Sequence, residues 1–246
     1  MHPEPRSWPG GPPGPELGPD EVHVWRASLE LPAATLEFLK ATLSPGEQAR
    51  GERRRLEKAR RQYIASQGVL RDILGRYLGQ GPGDVHFEYG EAGKPELPGG
   101  HELRFNLTHS HEMALCAVAR GREVGVDVEF IRPRPLLEQV ARRFFADGEV
   151  RLLLALPESE RVEAFYRCWT RKEAYMKAKG LGLRLPLGSF EVSLQAGEAA
   201  ALLWVRDDPG ELSRWSMASL DPGAGYIGAV VVQGSGWNLR CWEREV

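Results

Sequence analysis

The stretch Val124-Gly125-Val126-Asp127-Val128-Glu129-Phe130 alternates apolar and acidic residues. A strand turns successive side chains to opposite faces, so Val126, Val128 and Phe130 share one face and Asp127 and Glu129 the other. Two carboxylates side by side on an otherwise apolar strand repel each other and resist burial. They belong either to a solvated face or to a site that holds a hard cation between them. Oxygen-only ligands of that kind point to magnesium or manganese rather than zinc.

Upstream, Met113–Ala119 is a second apolar run, and a hairpin-like connection at Arg120–Glu123 joins the two. Further strands are expected over Glu21–Leu31, Val85–Tyr89 and Leu103–Leu107. Ser44-Pro45 carries the cap and first-position signals of a helix start. Leu56, Ala59, Tyr63, Leu70, Ile73, Leu74 and Tyr77 recur at steps of three and four, which predicts one long amphipathic helix over about 45–79. Downstream, Arg132-Pro133-Arg134-Pro135 breaks the chain. Helical patterns follow over roughly 136–145, 148–156 and 159–179, then an antiparallel meander to about 242. Each half offers a long helix with several strands. The expected fold is therefore α+β: two α+β lobes, 21–120 and 121–246. The first twenty residues hold seven prolines and four glycines and read as a loose tail outside the fold.

The chain has 246 residues, of which 42% are hydrophobic and 27% charged, enough to build a core and to exclude global disorder. No stretch approaches the roughly 20 apolar residues of a membrane span, so a soluble protein without membrane partners is expected. Cys116, Cys168 and Cys241 are too scattered for a disulfide framework and read as reduced thiols in a cytoplasmic compartment.

The net charge of −2 hides a segregation. Residues 50–76 hold nine basic and three acidic side chains, and residues 171–184 hold five basic against Glu173 alone. Two basic patches on an acidic body suggest anion sites rather than general polyanion binding.

In Trp169-Thr170-Arg171-Lys172-Glu173-Ala174-Tyr175-Met176-Lys177, helical spacing stacks Trp169, Glu173 and Lys177 on one face. This is either an exposed Glu–Lys pair beside a tryptophan or a carboxylate and an ammonium lining a site. Glu173 could then join Asp127 and Glu129 around magnesium, with Lys177 facing phosphates. Phe105-Asn106-Leu107-Thr108-His109-Ser110-His111 runs a strand into a turn, and its Thr108, His109 and Ser110 form a donor cluster suited to phosphate. Gly93-Lys94-Pro95 is a turn carrying a lysine.

Taken in order, Gly93-Lys94-Pro95, Phe105 to Ser110, Gly125 to Glu129, Arg143-Phe144-Phe145 through Glu149, and Phe165 to Gly180 resemble the 4′-phosphopantetheinyl transferases of the larger, single-chain class. The Gly-x-Asp-x-Glu and Trp-x-x-Lys-Glu-Ala-x-x-Lys segments, about forty residues apart, form a highly specific pair. The resemblance covers roughly residues 44–192. It implies a pseudo-dimer of two similar α+β lobes, each a long helix on a small antiparallel sheet, with the site in the cleft and a chain that acts as a monomer. It implies transfer of 4′-phosphopantetheine from coenzyme A to a serine of an apo acyl or peptidyl carrier protein, releasing adenosine 3′,5′-bisphosphate. Asp127, Glu129 and Glu173 match the family's magnesium ligands, and Glu173 also matches the proposed base. Lys177 matches a lysine on the diphosphate, and Glu173, Lys177 and Asp127 form the implied catalytic set. Lys94, Thr108 and His109 match coenzyme A contacts. Lys172 is counted with them, and Arg50 and Arg54 are nominated for the 3′-phosphate.

Thr108 stands where serine is common, and Gln67 where many relatives have arginine. Two other readings use the same residues: a magnesium-dependent phosphohydrolase, and a nucleic-acid binder acting through the basic 50–76 helix.

Overall fold

The computed structural model describes residues 7–90 and 93–245. The first lobe carries β1 (Glu21–Ser28), α1 (Ala33–Thr42), α2 (Pro45–Glu52), α3 (Glu57–Leu78), the two-residue strands β2 (Glu88–Tyr89) and β3 (Pro95–Glu96), β4 (Leu103–Ser110) and β5 (Met113–Arg120). The second carries β6 (Val124–Phe130), α4 (Leu137–Phe144), α5 (Asp147–Ala155), α6 (Glu158–Lys179), β7 (Phe190–Val192), β8 (Leu202–Val205), α7 (Glu211–Arg214), β9 (Trp215–Leu220) and β10 (Tyr226–Gln233). β11 (Asn238–Glu243) follows.

The two lobes repeat one plan. β1, β4 and β5 form an antiparallel sheet in the order β1-β5-β4, and β6, β9 and β10 form one in the order β6-β10-β9. In each, the first strand is followed by a 22-residue helix, α3 or α6, that ends on a left-handed glycine, Gly79 or Gly180, each with φ 64°. That positive φ is the conformation glycine adopts without a Cβ penalty. This is the α+β pseudo-dimer that the resemblance implies.

Three cores follow from the alternation of side chains. Trp25, Ala27, Phe105 and Val118 pack one face of the first sheet against α1 and α3. Ala229, Val231 and Met217 pack the second sheet against α6. The remaining faces meet each other, Val22, Val24, Leu115 and Ala117 against Val126, Val128, Leu220 and Val230, in a core shared by both lobes.

The helix expected over 45–79 is broken. Ser44 caps α2, taking the Glu47 N–H at 3.4 Å while the Glu47 carboxylate takes the Ser44 N–H at 2.8 Å. The chain leaves the helix over 53–56, and Leu56 starts α3 from an extended conformation. The turn folds α2 back so that Gly51 meets Tyr63 and Ile64 of α3. It also carries Glu47 to Arg71, where the two form a buried ion pair at 2.6 Å.

Two segments depart from the expected organisation. β11 crosses back and pairs in parallel with β1, from Glu21↔Asn238 to Arg26↔Glu243. The proline-rich head is packed rather than loose. Trp8 is buried in the shared core and donates to the Asp221 carbonyl at 2.6 Å, Leu17 is buried in the first core, and Gly10 bridges to Glu243. Gly11 lies on the ring of Trp25, where a Cβ would collide. Apolar anchors override the composition here, and residues 1–6 of that stretch lie outside the described residues.

β11 also breaks the pseudo-symmetry. It takes the outer edge of β1, whereas the corresponding edge of β6 faces β4. That second edge is where the chemistry-bearing side chains gather.

Candidate active site

β4 and β6 lie side by side without a backbone ladder. Every second side chain of β4 fills the gap. Asn106 Oδ1 accepts the Val126 N–H at 2.9 Å, Thr108 Oγ1 donates to Asp127 Oδ1 at 3.0 Å, and Ser110 Oγ donates to Glu129 Oε2 at 2.7 Å. Ser110 Oγ also accepts the Phe130 N–H at 3.1 Å. These side chains stand in for a partner strand on an edge that would otherwise leave backbone donors unmet.

α6 closes the site from above. Gly125 lies directly beneath it, and a Cβ there would collide with the Ala174 carbonyl and the Ala178 amide of the helix backbone. The glycine of Gly125-x-Asp127-x-Glu129 is thus a close-approach residue. On the same face of β6 as Gly125, Asp127 and Glu129 meet the Glu173–Lys177 stripe of α6. Lys177 Nζ donates to Asp127 Oδ1 at 2.6 Å, to Thr108 Oγ1 at 3.0 Å and to the Val126 carbonyl at 3.3 Å. Trp169, on the same stripe, packs on Phe145 and Phe165, and Arg134 lies over the Phe165 and Trp169 rings.

The electrostatics follow from this crowding. Burial pushes the Asp127 carboxyl up, opposed by Lys177, the Thr108 hydroxyl and the Val128 N–H. Burial, together with the Asp127 charge, also raises Glu129 against the pull of Ser110, Lys177 and Arg134. Glu173 is pushed to about 7 by burial and by the charges of Asp127 and Glu129, with Lys177 pulling the other way. Desolvation and the Lys177 and Arg54 cations push the His109 imidazole below its ordinary value, although the residue is exposed.

Thr108, Asp127 and Lys177 are therefore in direct contact. Glu129, Glu173, His109 and Arg54 share their field. Lys94 stands further along the same edge, donating to Glu123 at 3.0 Å and to the Val124 carbonyl at 3.3 Å, with its stem against Gly180. Arg50 instead leans on Tyr89, bonded to its hydroxyl at 2.9 Å, while Arg54 lies over the Tyr63 ring.

Lys172 is a correction. It is fully buried, paired with Glu149 at 2.8 Å and bonded to the Leu187 and Phe190 carbonyls, so it cannot reach coenzyme A. The two basic patches shrink as well. Arg71 is buried on Glu47, Arg76 pairs with Asp72, Arg60 with Glu57 and Lys58 with Glu112. In the second patch Arg171 is buried on Ser193 and Ser219, and Lys179 pairs with Glu211. Much of the apparent surplus is paired with acidic side chains within the fold.

Sequence reasoning missed Asn106, and Ser110, read there as a phosphate donor, instead turns to Glu129. Their two-residue spacing with Thr108 matches the spacing of Asp127 and Glu129, but that match has meaning only once β4 lies beside β6.

The model of the 4′-phosphopantetheinyl transferase superfamily matches residues 123–231, which holds β6, α6 and both acidic motifs. A 4′-phosphopantetheinyl transferase of Nostoc sp., HetI, is 42% identical over 240 residues, covering 96% of this chain and 98% of its own. The Bacillus subtilis 4′-phosphopantetheinyl transferase Sfp is 34% identical over 146 residues, covering 56% of this chain and 64% of its own. A solved holo-[acyl-carrier-protein] synthase of Thermotoga maritima is 26% identical, with a TM-score of 0.35 over 46% of this chain and 63% of its own, an overlap too partial to bear on the fold. With near full-length similarity to HetI and the acidic motifs brought together by β6 and α6, this chain belongs to the 4′-phosphopantetheinyl transferase superfamily.

Proposed function

We propose that this chain moves the 4′-phosphopantetheine arm of coenzyme A onto a serine hydroxyl of an apo acyl or peptidyl carrier protein and releases adenosine 3′,5′-bisphosphate. The observation that carries the reading is the junction at Asp127. One lobe supplies Thr108 and the other supplies Asp127 and Lys177, within 3.0 Å of one another and beside Glu173. A diphosphate bridging the lobes would meet a cation, a hydroxyl and a proton acceptor there.

Asp127, Glu129 and Glu173 would hold magnesium, with manganese as a substitute. The donor set is all oxygen, and Asp127 Oδ2 is buried without a hydrogen-bond partner, which suits a hard cation. Among the described residues no three His, Cys, Asp or Glu side chains are already drawn together around a metal position, and water and substrate phosphate oxygens would complete the shell. When bound, the ion neutralises phosphate charge as a Lewis acid.

Lys177, partly exposed beside Asp127, neutralises the charge that grows on the leaving phosphate oxygen as its bond to phosphorus breaks. Glu173 takes the serine proton. Burial and the Asp127 and Glu129 charges raise its carboxyl to about 7 in the absence of the cation, and the bound ion would keep it ionised as a proton acceptor. His109 offers the 3′-phosphate a ring N–H, and Arg54 beside it offers charge. Lys94 reaches the nucleotide from the far end of β6 by exchanging its partly exposed partner Glu123 for phosphate.

A cleft of about 410 Å³ opens beside Glu173, lined by Arg143, Phe144, Met176 and Arg206. Its two arginines and one partly exposed ring suit an acidic carrier protein presenting its serine. No helix among the described residues is long and apolar enough to cross a membrane, and the three cysteines are buried and unpaired. A cytoplasmic monomer fits both facts and the pairing of two lobes within one chain.

The test is release of adenosine 3′,5′-bisphosphate from coenzyme A, followed by chromatography with and without an apo carrier protein. Release that requires the carrier supports transfer. Release without it would mark a phosphohydrolase.

A further inference from the structure

Ser110, read from the sequence as a phosphate donor, touches Glu129, and its two hydrogen bonds are of different kinds. Its hydroxyl hydrogen goes to Glu129 Oε2 at 2.7 Å, a charge-assisted bond that fixes the carboxylate rotamer. Its oxygen lone pair receives the Phe130 N–H at 3.1 Å, which fixes the hydroxyl itself to the backbone of β6. The serine is thus held at both ends. Four residues earlier, Asn106 locks the same pair of strands at the Val126 N–H, so β4 cannot slide along β6 without breaking both. Ser110 and its partner lie on different lobes, and the partner is one of three carboxylates that β6 and α6 of the second lobe bring into one another's field.

We propose that Ser110 is a positioning residue: it holds Glu129, across the lobe boundary, in the orientation that lets Glu129 share a divalent cation with Asp127 and Glu173. The proposal rests on the functional reading above and adds a residue to it. Outer partners of this kind orient metal-binding carboxylates, and their loss commonly weakens metal binding about tenfold or more. Alanine at 110 frees Glu129 to rotate and leaves the Phe130 N–H without its acceptor. Threonine keeps the hydroxyl.

The experiment uses the full chain with coenzyme A and titrates Mn²⁺, reading free Mn²⁺ by electron paramagnetic resonance. Wild type, Ser110→Ala and Ser110→Thr are compared, with thermal melts as a folding control. The proposal expects the Mn²⁺ dissociation constant of Ser110→Ala to rise about tenfold, with Ser110→Thr close to wild type. In carrier-dependent transfer, Ser110→Ala needs correspondingly more Mn²⁺ for half-maximal rate but approaches the wild-type kcat at saturation. Ser110→Ala that binds Mn²⁺ as wild type does, or that loses kcat with Mn²⁺ affinity unchanged, overturns the role of Ser110 alone. A wild-type chain that binds no Mn²⁺ overturns the metal site together with it. A wild-type chain that binds Mn²⁺ but transfers nothing to any carrier overturns the functional reading, while the Mn²⁺ affinities still decide the role of Ser110.

Discussion

Gly125 of β6 lies directly against the backbone of Ala174 in α6, with no room for a Cβ between them. That single approach sets the height of α6 over the second sheet, and with it the reach of Glu173 and Lys177 to Asp127 and Glu129. Gly125→Ala is expected to lift the helix. Overpacking of this kind costs about 1–3 kcal/mol. Because the helix carries half the site, activity should fall far more than stability. Urea unfolding and the transfer rate, measured on the same preparation, check this.

Lys172 and Glu149 are buried together, one on α6 and one on α5. Lys172→Met would leave the Glu149 carboxyl, already raised by burial, without its cation inside the second core. Breaking a buried pair from one side costs about 3–5 kcal/mol. The expected result is a large loss of thermal stability with the KM for coenzyme A unchanged in the folded fraction. A KM that rose with stability intact would return Lys172 to the substrate site.

Glu211 gathers Lys179 at 2.7 Å, the Tyr175 hydroxyl at 2.5 Å and Arg214 at 2.8 Å. Burial opposes its ionisation, but these donors outweigh it and hold the carboxyl at about 2, against 4.5 in an unstructured chain. A carboxyl depressed by folding stabilises fully above pH 4.5 and loses that contribution as pH falls from 4.5 towards 2. Urea unfolding across that window should show wild-type stability dropping steeply. Glu211→Gln should be less stable at pH 7 and fall less steeply.

Trp8 anchors the proline-rich head in the core shared by both lobes, under the Arg26 guanidinium 5.4 Å from its ring centroid. Trp8→Ala removes a buried indole, a loss of about 3 kcal/mol. The melting temperature should fall while KM for coenzyme A stays unchanged, since Trp8 meets Asp221 and Arg26 rather than a residue of the site. An unchanged melting temperature would show that the head contributes nothing to the fold.

Local periodicity carried much of this structure into the sequence. The alternation at 124–130 puts Asp127 and Glu129 on one face, the four-residue stripe puts Glu173 and Lys177 together, and both hold in the fold. What pairs over long distance was not legible. Lys172 reads as one more cation in a basic run until Glu149, twenty-three residues away, is seen buried against it. Arg71 is the same case with Glu47. β11 joins β1 from the far end of the chain, a pairing that no local pattern encodes. Thr108 and Ser110 read as phosphate donors because the strand that takes their hydrogens is defined only by tertiary packing. The head was misread because composition weighs seven prolines and four glycines above one tryptophan and one leucine, whereas burial weighs the reverse.

The proposed transfer from coenzyme A depends most on Glu173 as the acceptor of the serine proton. Its most direct test is the intact mass of an apo carrier protein after incubation with coenzyme A, Mg²⁺ and either wild type or Glu173→Gln. The substitution removes one of three crowded carboxylates, so the variant should fold as well as wild type by circular dichroism. Wild type should add one phosphopantetheine to the carrier, and Glu173→Gln should leave the carrier mass unchanged over the same period. Conversion by Glu173→Gln at a rate near wild type would contradict the assignment of the base. A carrier left unmodified by wild type, across a panel of acyl and peptidyl carriers, would contradict the transfer itself.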